Sequence, residues 1–177
     1  MNVINYVSTS PDFHWIVDHD VALGNVAAGA NFDTLKKAGI DAVVVALPSM
    51  PRPKLEYVRN NVSYLHIPAL DHPQQNLDKF FDLVYDFIEA HRTANKRVLV
   101  HCHAGISRSA TLLASFLMRR FGMSHDQAVK YLQSKRPIVM PNPGFMNQLK
   151  TFDQHKMQPP KVNTGLDKLL KPNVVVN

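Results

Sequence analysis

The run Arg97-Val98-Leu99-Val100-His101 leads into Cys102 without a break. Five residues separate Cys102 from Arg108, at about which a helix begins; Ala110 to Phe121 is apolar at helical spacing and stops at Gly122. A strand, a short loop and a helix in this succession leave the backbone few choices, because the loop must wrap the N-terminus of the helix. Unpaired N–H groups and the helix dipole converge there on one point. Such a point binds an anion and fits a phosphate. Gly105 lets the loop turn tightly with no side chain in the way.

The rest of the chain reads as a frame for that unit. Phe13 to Val17 and Val21 to Leu23, split by Asp18-His19-Asp20, predict a small antiparallel hairpin. Asn31 to Ala38 predicts a short helix closed by Gly39. The β-branched run from Asp41 to Leu47, stopped by Pro48, and Val62 to Ile67, stopped by Pro68, predict buried strands. Leu77, Phe80, Phe81, Val84, Phe87 and Ile88 recur at helical spacing from Asn76, a capping residue, to about Arg92. Ser124 and Gln127 stand three apart as in a capping box, opening a helix to about Lys135, and Phe145 to Lys156 predicts the last one. Strands alternate with helices over the first two thirds. The expected fold is therefore α/β, a central, mostly parallel twisted sheet flanked by helices.

Composition narrows the setting. The 177 residues suit one domain with one core, and 45% apolar against 19% charged residues is ordinary for a soluble globular protein. No apolar run approaches the roughly 18 residues of a membrane helix, so no membrane insertion is expected. Met1 to Trp15 lacks the basic and apolar regions of a secretory signal, which places the chain in a reducing compartment, the cytoplasm or also the nucleus. The single cysteine makes neither an internal disulfide nor a multi-thiolate zinc site. The formal charge of +6 favours anionic partners, but the basic residues, Arg136 among them, are scattered and read as a solvated surface. With no arginine-rich arm and no zinc-finger spacing, nucleic acid is not the expected partner.

Chemistry concentrates between His101 and Ser109. A thiol at a helix N-terminus beside a cation ionises more readily than a free one. Arg108 supplies that cation, and its planar fork matches two phosphate oxygens. The Ser109 hydroxyl can point back at the sulfur. Adjacent strand residues point to opposite faces, so His101, Cys102 and His103 do not suit a metal; no metal and no cofactor are expected.

The stretch His101-Cys102-His103-Ala104-Gly105-Ile106-Ser107-Arg108-Ser109 resembles the signature of the protein tyrosine phosphatase superfamily: His-Cys, five residues, Arg, then Ser or Thr. The Ala-Gly-Ile-Ser filling is similar to the dual-specificity branch, as are Leu23-Gly24-Asn25 and Pro141-Asn142-Pro143-Gly144-Phe145. The resemblance implies a catalytic domain over residues 1–157; the Pro-, Lys- and Asn-rich composition beyond it predicts a loosely ordered tail over 158–177, where Leu166, Leu169 and Leu170 suit a short helix docked on the body. It implies that Cys102 is the nucleophile, that His103 to Arg108 hold the phosphate, and that His101 and Asn142 support the loop. Asp71, on a loop after a strand and 31 residues before Cys102, is the implied general acid. The expected substrates are proteins phosphorylated on Tyr, Ser or Thr, handled through a phosphocysteine. Loss of Cys102 or Asp71 would leave a phosphoprotein-binding adaptor; both are present. The absence of Lys between Cys102 and Arg108 counts against a phosphoinositide, and an RNA 5′-phosphate is the remaining alternative within the superfamily. Nothing in the chain sets an oligomeric state.

Overall fold

A computed structural model describes residues 12–50, 54–155 and 174–175. Among them six strands form one sheet: β1 (Phe13–Val17), β2 (Val21–Gly24), β3 (Ile40–Ala46), β4 (Ser63–Ile67), β5 (Arg97–His101) and β6 (Val174–Val175). Their spatial order is β1-β2-β5-β3-β4-β6, with β1 and β2 antiparallel and every other neighbouring pair parallel. The expected hairpin, helices and mostly parallel sheet are all present. Its turn takes positive φ at Asp18 and His19, a conformation that Asp and His tolerate better than most residues.

The strands are apolar on both sides because both sides are covered. Val98, Val100, Ala42, Val44 and Leu65 face one core, against α4 (Phe81–Thr93), α5 (Arg108–Phe121), α6 (His125–Lys135) and α7 (Pro143–His155). Leu99, Val43, Val45 and Tyr64 face the other, against α1 (Val26–Ala30), α2 (Phe32–Ala38) and α3 (Lys54–Arg59). Alternation along β3 and β5 sorts neighbouring residues into the two cores. Parallel pairing also brings the carboxyl ends of β2, β3, β4 and β5 to one edge: Gly24 and Val45 both pair with His101, and Val45 with His66. In open α/β sheets that edge is where ligands bind.

Several elements depart from the sequence reading. α1 and α3 are additional helices; five and six residues are too few to show a helical period. Asn25 and Asn31 each cap a helix by accepting a backbone N–H, so one asparagine separates α1 from α2. The long helix opens with a 3-10 turn, Asp78–Phe80, before α4 begins. Asn76 accepts the Lys79 N–H there. The Leu77 and Asp78 N–H groups instead go to Gln148 on α7, some 70 residues away. α7 starts at Pro143, two residues earlier than expected, as suits a proline in a first helical turn. Val174-Val175, in the tail expected to be loosely ordered, adds β6 in parallel beside β4. The predicted Leu166, Leu169 and Leu170 contacts lie outside the described residues.

Gln148 satisfies two N–H groups at the start of the 3-10 turn, and its Nε2 donates to Gln75 O. Gln148→Ala leaves these groups unpaired and is expected to destabilise the fold by about 1–3 kcal/mol, read as a lower urea midpoint with an unchanged m-value.

Candidate active site

β5 delivers Cys102 to the sheet edge, where it is 1% exposed. The loop from Cys102 to Ser107 then turns into α5, whose N-cap Ser107 makes no side-chain capping bond. Each peptide C=O of the loop is drawn outward. The Cys102 carbonyl lies 3.2 Å from His101 Nδ1, and His103 O accepts from Val26 N at 3.0 Å. Arg136 Nη2 and Nε donate to Ala104 O and Gly105 O at 3.2 and 3.1 Å. Ile106 O accepts from Met140 N, and Ser107 O from Thr111 N. In a planar trans peptide the N–H opposes the C=O, so the N–H groups of the loop turn inward. One of them, Gly105 N–H, points at Cys102 Sγ, 3.3 Å away. Gly105 takes φ +69°, and a side chain there would overlap the Gly24 carbonyl.

Around the sulfur, burial would push the Cys102 thiol up. It is outweighed by the Ser109 hydroxyl and N–H, the Arg108 charge and the Gly105 N–H, and the thiol ends below its ordinary value. The Ser109 Oγ lies 3.2 Å from Sγ. His101 is fully buried and pushed down to about 4, mainly by burial, which exceeds the effect of its bond to the Cys102 carbonyl. A carbonyl only accepts, so the proton of the neutral ring sits on Nδ1. The ring packs against α1 so closely that a Cβ on Gly29 would overlap it.

Asp71 lies on the loop after β4. Its Oδ1 accepts from Ser107 Oγ at 2.7 Å and from Asn142 Nδ2 at 3.0 Å, and its Oδ2 is 3.6 Å from Arg108 Nε. Arg108 is 8% exposed; Nη1 donates to Ala69 O, and Nε has no hydrogen-bond partner. A buried guanidinium N–H that makes no hydrogen bond, beside inward-facing amides, is a donor set for an oxyanion. The structure thus brings Cys102, Arg108, Ser109 and Asp71 to one place. Asn142 differs from its expected role in one respect: its backbone N–H reaches the loop through Ser107 Oγ, while its side chain serves Asp71 and caps α7 through Phe145 N. His103 and Ala104 are exposed at the mouth, and Ile106 is half-buried. Arg136, read as part of a solvated surface, is instead 1% exposed behind the loop. Six residues before Asn142, it carried no sequence signal beyond its place ahead of the Pro-Asn segment.

The arrangement supplies a lowered thiol, converging donors for a tetrahedral oxyanion and a carboxyl at the rim. Among the described residues, no group of three or more His, Cys, Asp or Glu is placed to hold a metal ion, and no helix is long and apolar enough to cross a membrane.

Residues 21–155 match the family model described as dual specificity phosphatase, catalytic domain. The tyrosine-protein phosphatase vhp-1 of Caenorhabditis elegans is 38% identical over 132 residues, 73% of this chain and 20% of that protein. Dual specificity protein phosphatase 1 of Arabidopsis thaliana is 33% identical over 140 residues, 78% of this chain and 68% of that protein. The crystal structure of DUSP15 superposes with a TM-score of 0.74 at 29% identity, covering 89% of this chain and 91% of the other. The chain spans only a fifth of the worm protein's length.

Two outcomes follow from this geometry. Ser109→Ala removes the strongest bond favouring the thiolate, so the midpoint of Cys102 alkylation by iodoacetamide against pH is expected to rise by about one to two units. His101 binds its proton less tightly folded than unfolded. Its contribution to stability is therefore fully present above pH 6.5 and is lost as pH falls toward about 4. Unfolding free energies from urea titrations between pH 7 and pH 4.5 are expected to decline accordingly, by roughly 3 kcal/mol at most from this group, and more gently in His101→Gln.

Proposed function

The chain belongs to the dual specificity phosphatase catalytic-domain family, and from that premise we propose that it hydrolyses phosphotyrosine and phosphoserine or phosphothreonine in proteins through a phosphocysteine. The observation that carries this reading is the Ser109 and Gly105 donors on Cys102 Sγ, where the loop meets α5 and Arg108 presents an Nε that makes no hydrogen bond.

The Cys102 thiolate attacks phosphorus, forming the S–P bond as the ester P–O bond breaks. Arg108 and the inward N–H groups hold the equatorial oxygens. Asp71 donates its proton to the leaving oxygen. Because Oδ1 already accepts from Ser107 and Asn142, that proton belongs on Oδ2. Oδ2 faces Arg108 Nε at 3.6 Å, so an arriving phosphate takes over the guanidinium and frees this oxygen. Water then attacks the phosphocysteine and gives its proton to the Asp71 carboxylate. The S–P bond breaks, inorganic phosphate leaves, and the Ser109 hydroxyl supports the departing thiolate. Each role is filled by a side chain or backbone N–H, so the steps need no metal. The reaction needs a reduced Cys102, which supports a reducing compartment such as the cytoplasm or nucleus.

The test is hydrolysis of para-nitrophenyl phosphate and of phosphotyrosyl and phosphothreonyl peptides from pH 5 to 8, with EDTA and fresh reductant. Wild type is expected to be active and Cys102→Ser inactive. Asp71→Asn is expected to lose about 10²- to 10⁴-fold in kcat on phosphopeptides, and less on para-nitrophenyl phosphate, whose leaving group needs little protonation. A wild type inactive in fresh reductant would refute the reading; phosphopeptide binding without turnover would then establish the adaptor.

A further inference from the structure

Arg136 is the largest fully buried side chain among the described residues. It stands at the C-cap of α6, its own N–H bonded to Leu132 O. Besides the two loop carbonyls, its Nη1 lies 3.0 Å from His14 Nδ1 on β1. An arginine only donates, so that imidazole is neutral and accepts through Nδ1. Burial and the Arg136 charge both hold His14 below its ordinary value, in keeping with that role.

We propose that Arg136 is a positioning residue for the phosphate loop: by fixing the peptides that follow Ala104 and Gly105, it aims one N–H at Cys102 Sγ and the next at the bound phosphate. The Ala104 carbonyl and the Gly105 N–H belong to one rigid plane. Nη2 pulls the carbonyl outward at 3.2 Å, and the N–H meets Sγ at 3.3 Å on the other side. Nε does the same for the plane of Gly105 O and the Ile106 N–H. Both bonds are charge-assisted, so the cation also polarises each amide and strengthens its inward donor. A fork spans two successive carbonyls; an ammonium reaches them only as a point charge. Burial disfavours the guanidinium's own charge, while Cys102 and Asp12 favour it, which puts this second cation within electrostatic reach of the nucleophile.

The inference rests on Cys102 as nucleophile, and its test reads the sulfur and the loop without requiring turnover. Wild type, Arg136→Gln, Arg136→Lys and Leu132→Ala are compared. The measurements are the alkylation midpoint of the single Cys102 with iodoacetamide, orthovanadate affinity by calorimetry, and Tm. Removing one direct oxyanion donor costs about 10²- to 10³-fold. Here the donors remain but lose their aim, so Arg136→Gln is expected to raise the midpoint by about one unit and weaken vanadate about tenfold. Arg136→Lys, which keeps charge and bulk but not the fork, should fall between, and it decides the matter if the Gln variant does not fold. Leu132→Ala truncates a buried side chain on the same helix and keeps the carbonyl that bonds the Arg136 N–H, so it should lower Tm alone. Arg136 variants that lose only Tm, with wild-type midpoint and vanadate affinity, would overturn the proposal. A wild-type Cys102 alkylating with the midpoint of a free thiol would overturn the nucleophile reading itself.

Discussion

The outward pull on the loop carbonyls from Cys102 to Ser107 is the constraint from which the rest of the site follows. A six-residue stretch cannot turn its amides inward by itself, because each N–H is locked opposite its C=O. Each carbonyl therefore needs a partner outside the loop. Those partners come from far apart: His101 on β5, Val26 on α1, Arg136 at the end of α6 and Met140 before α7. The parallel sheet is what allows this. With β2, β3, β4 and β5 ending on one edge, the segments that follow them converge on one loop without long excursions.

A second network is laid over the first. Ser107 donates its hydroxyl to Asp71 and accepts the Asn142 N–H, so the loop, the carboxyl and the Pro-Asn segment share one set of bonds. Ala69 O holds Arg108 from the same side. Asp71, the proposed acid, thus rests on the loop itself. Gln148, two turns into α7, pins the other end of that segment by holding the first N–H groups of the 3-10 turn.

What was legible in the sequence was what has a period or a fixed spacing. The strands β3 to β5, the helices α4 to α6, the capping box at Ser124 and the Cys102 to Ser109 stretch all carry such marks. The reading of Asp71 as a general acid came only from its place on a loop after a strand and from its resemblance in spacing. The rest depends on contacts across the fold. α1 and α3 are shorter than two helical turns and leave no pattern. Arg136 was misread because a charged residue at the end of an amphipathic helix looks solvated, and only the tertiary fold shows that two backbone carbonyls and an imidazole lie within its reach. The same holds for Asn142, whose partner Asp71 is 71 residues distant in sequence.

The bond from Val26 N to His103 O joins the loop to the first helix of the fold, while Arg136 and Met140 join it to the last third. Anion binding and global folding are therefore thermodynamically linked in this chain. An oxyanion that orders the loop tightens anchors on both halves of the sequence at once, and its binding energy is shared by the whole body rather than by a local flap. In the absence of substrate, free inorganic phosphate seated in the loop would act as a folding ligand.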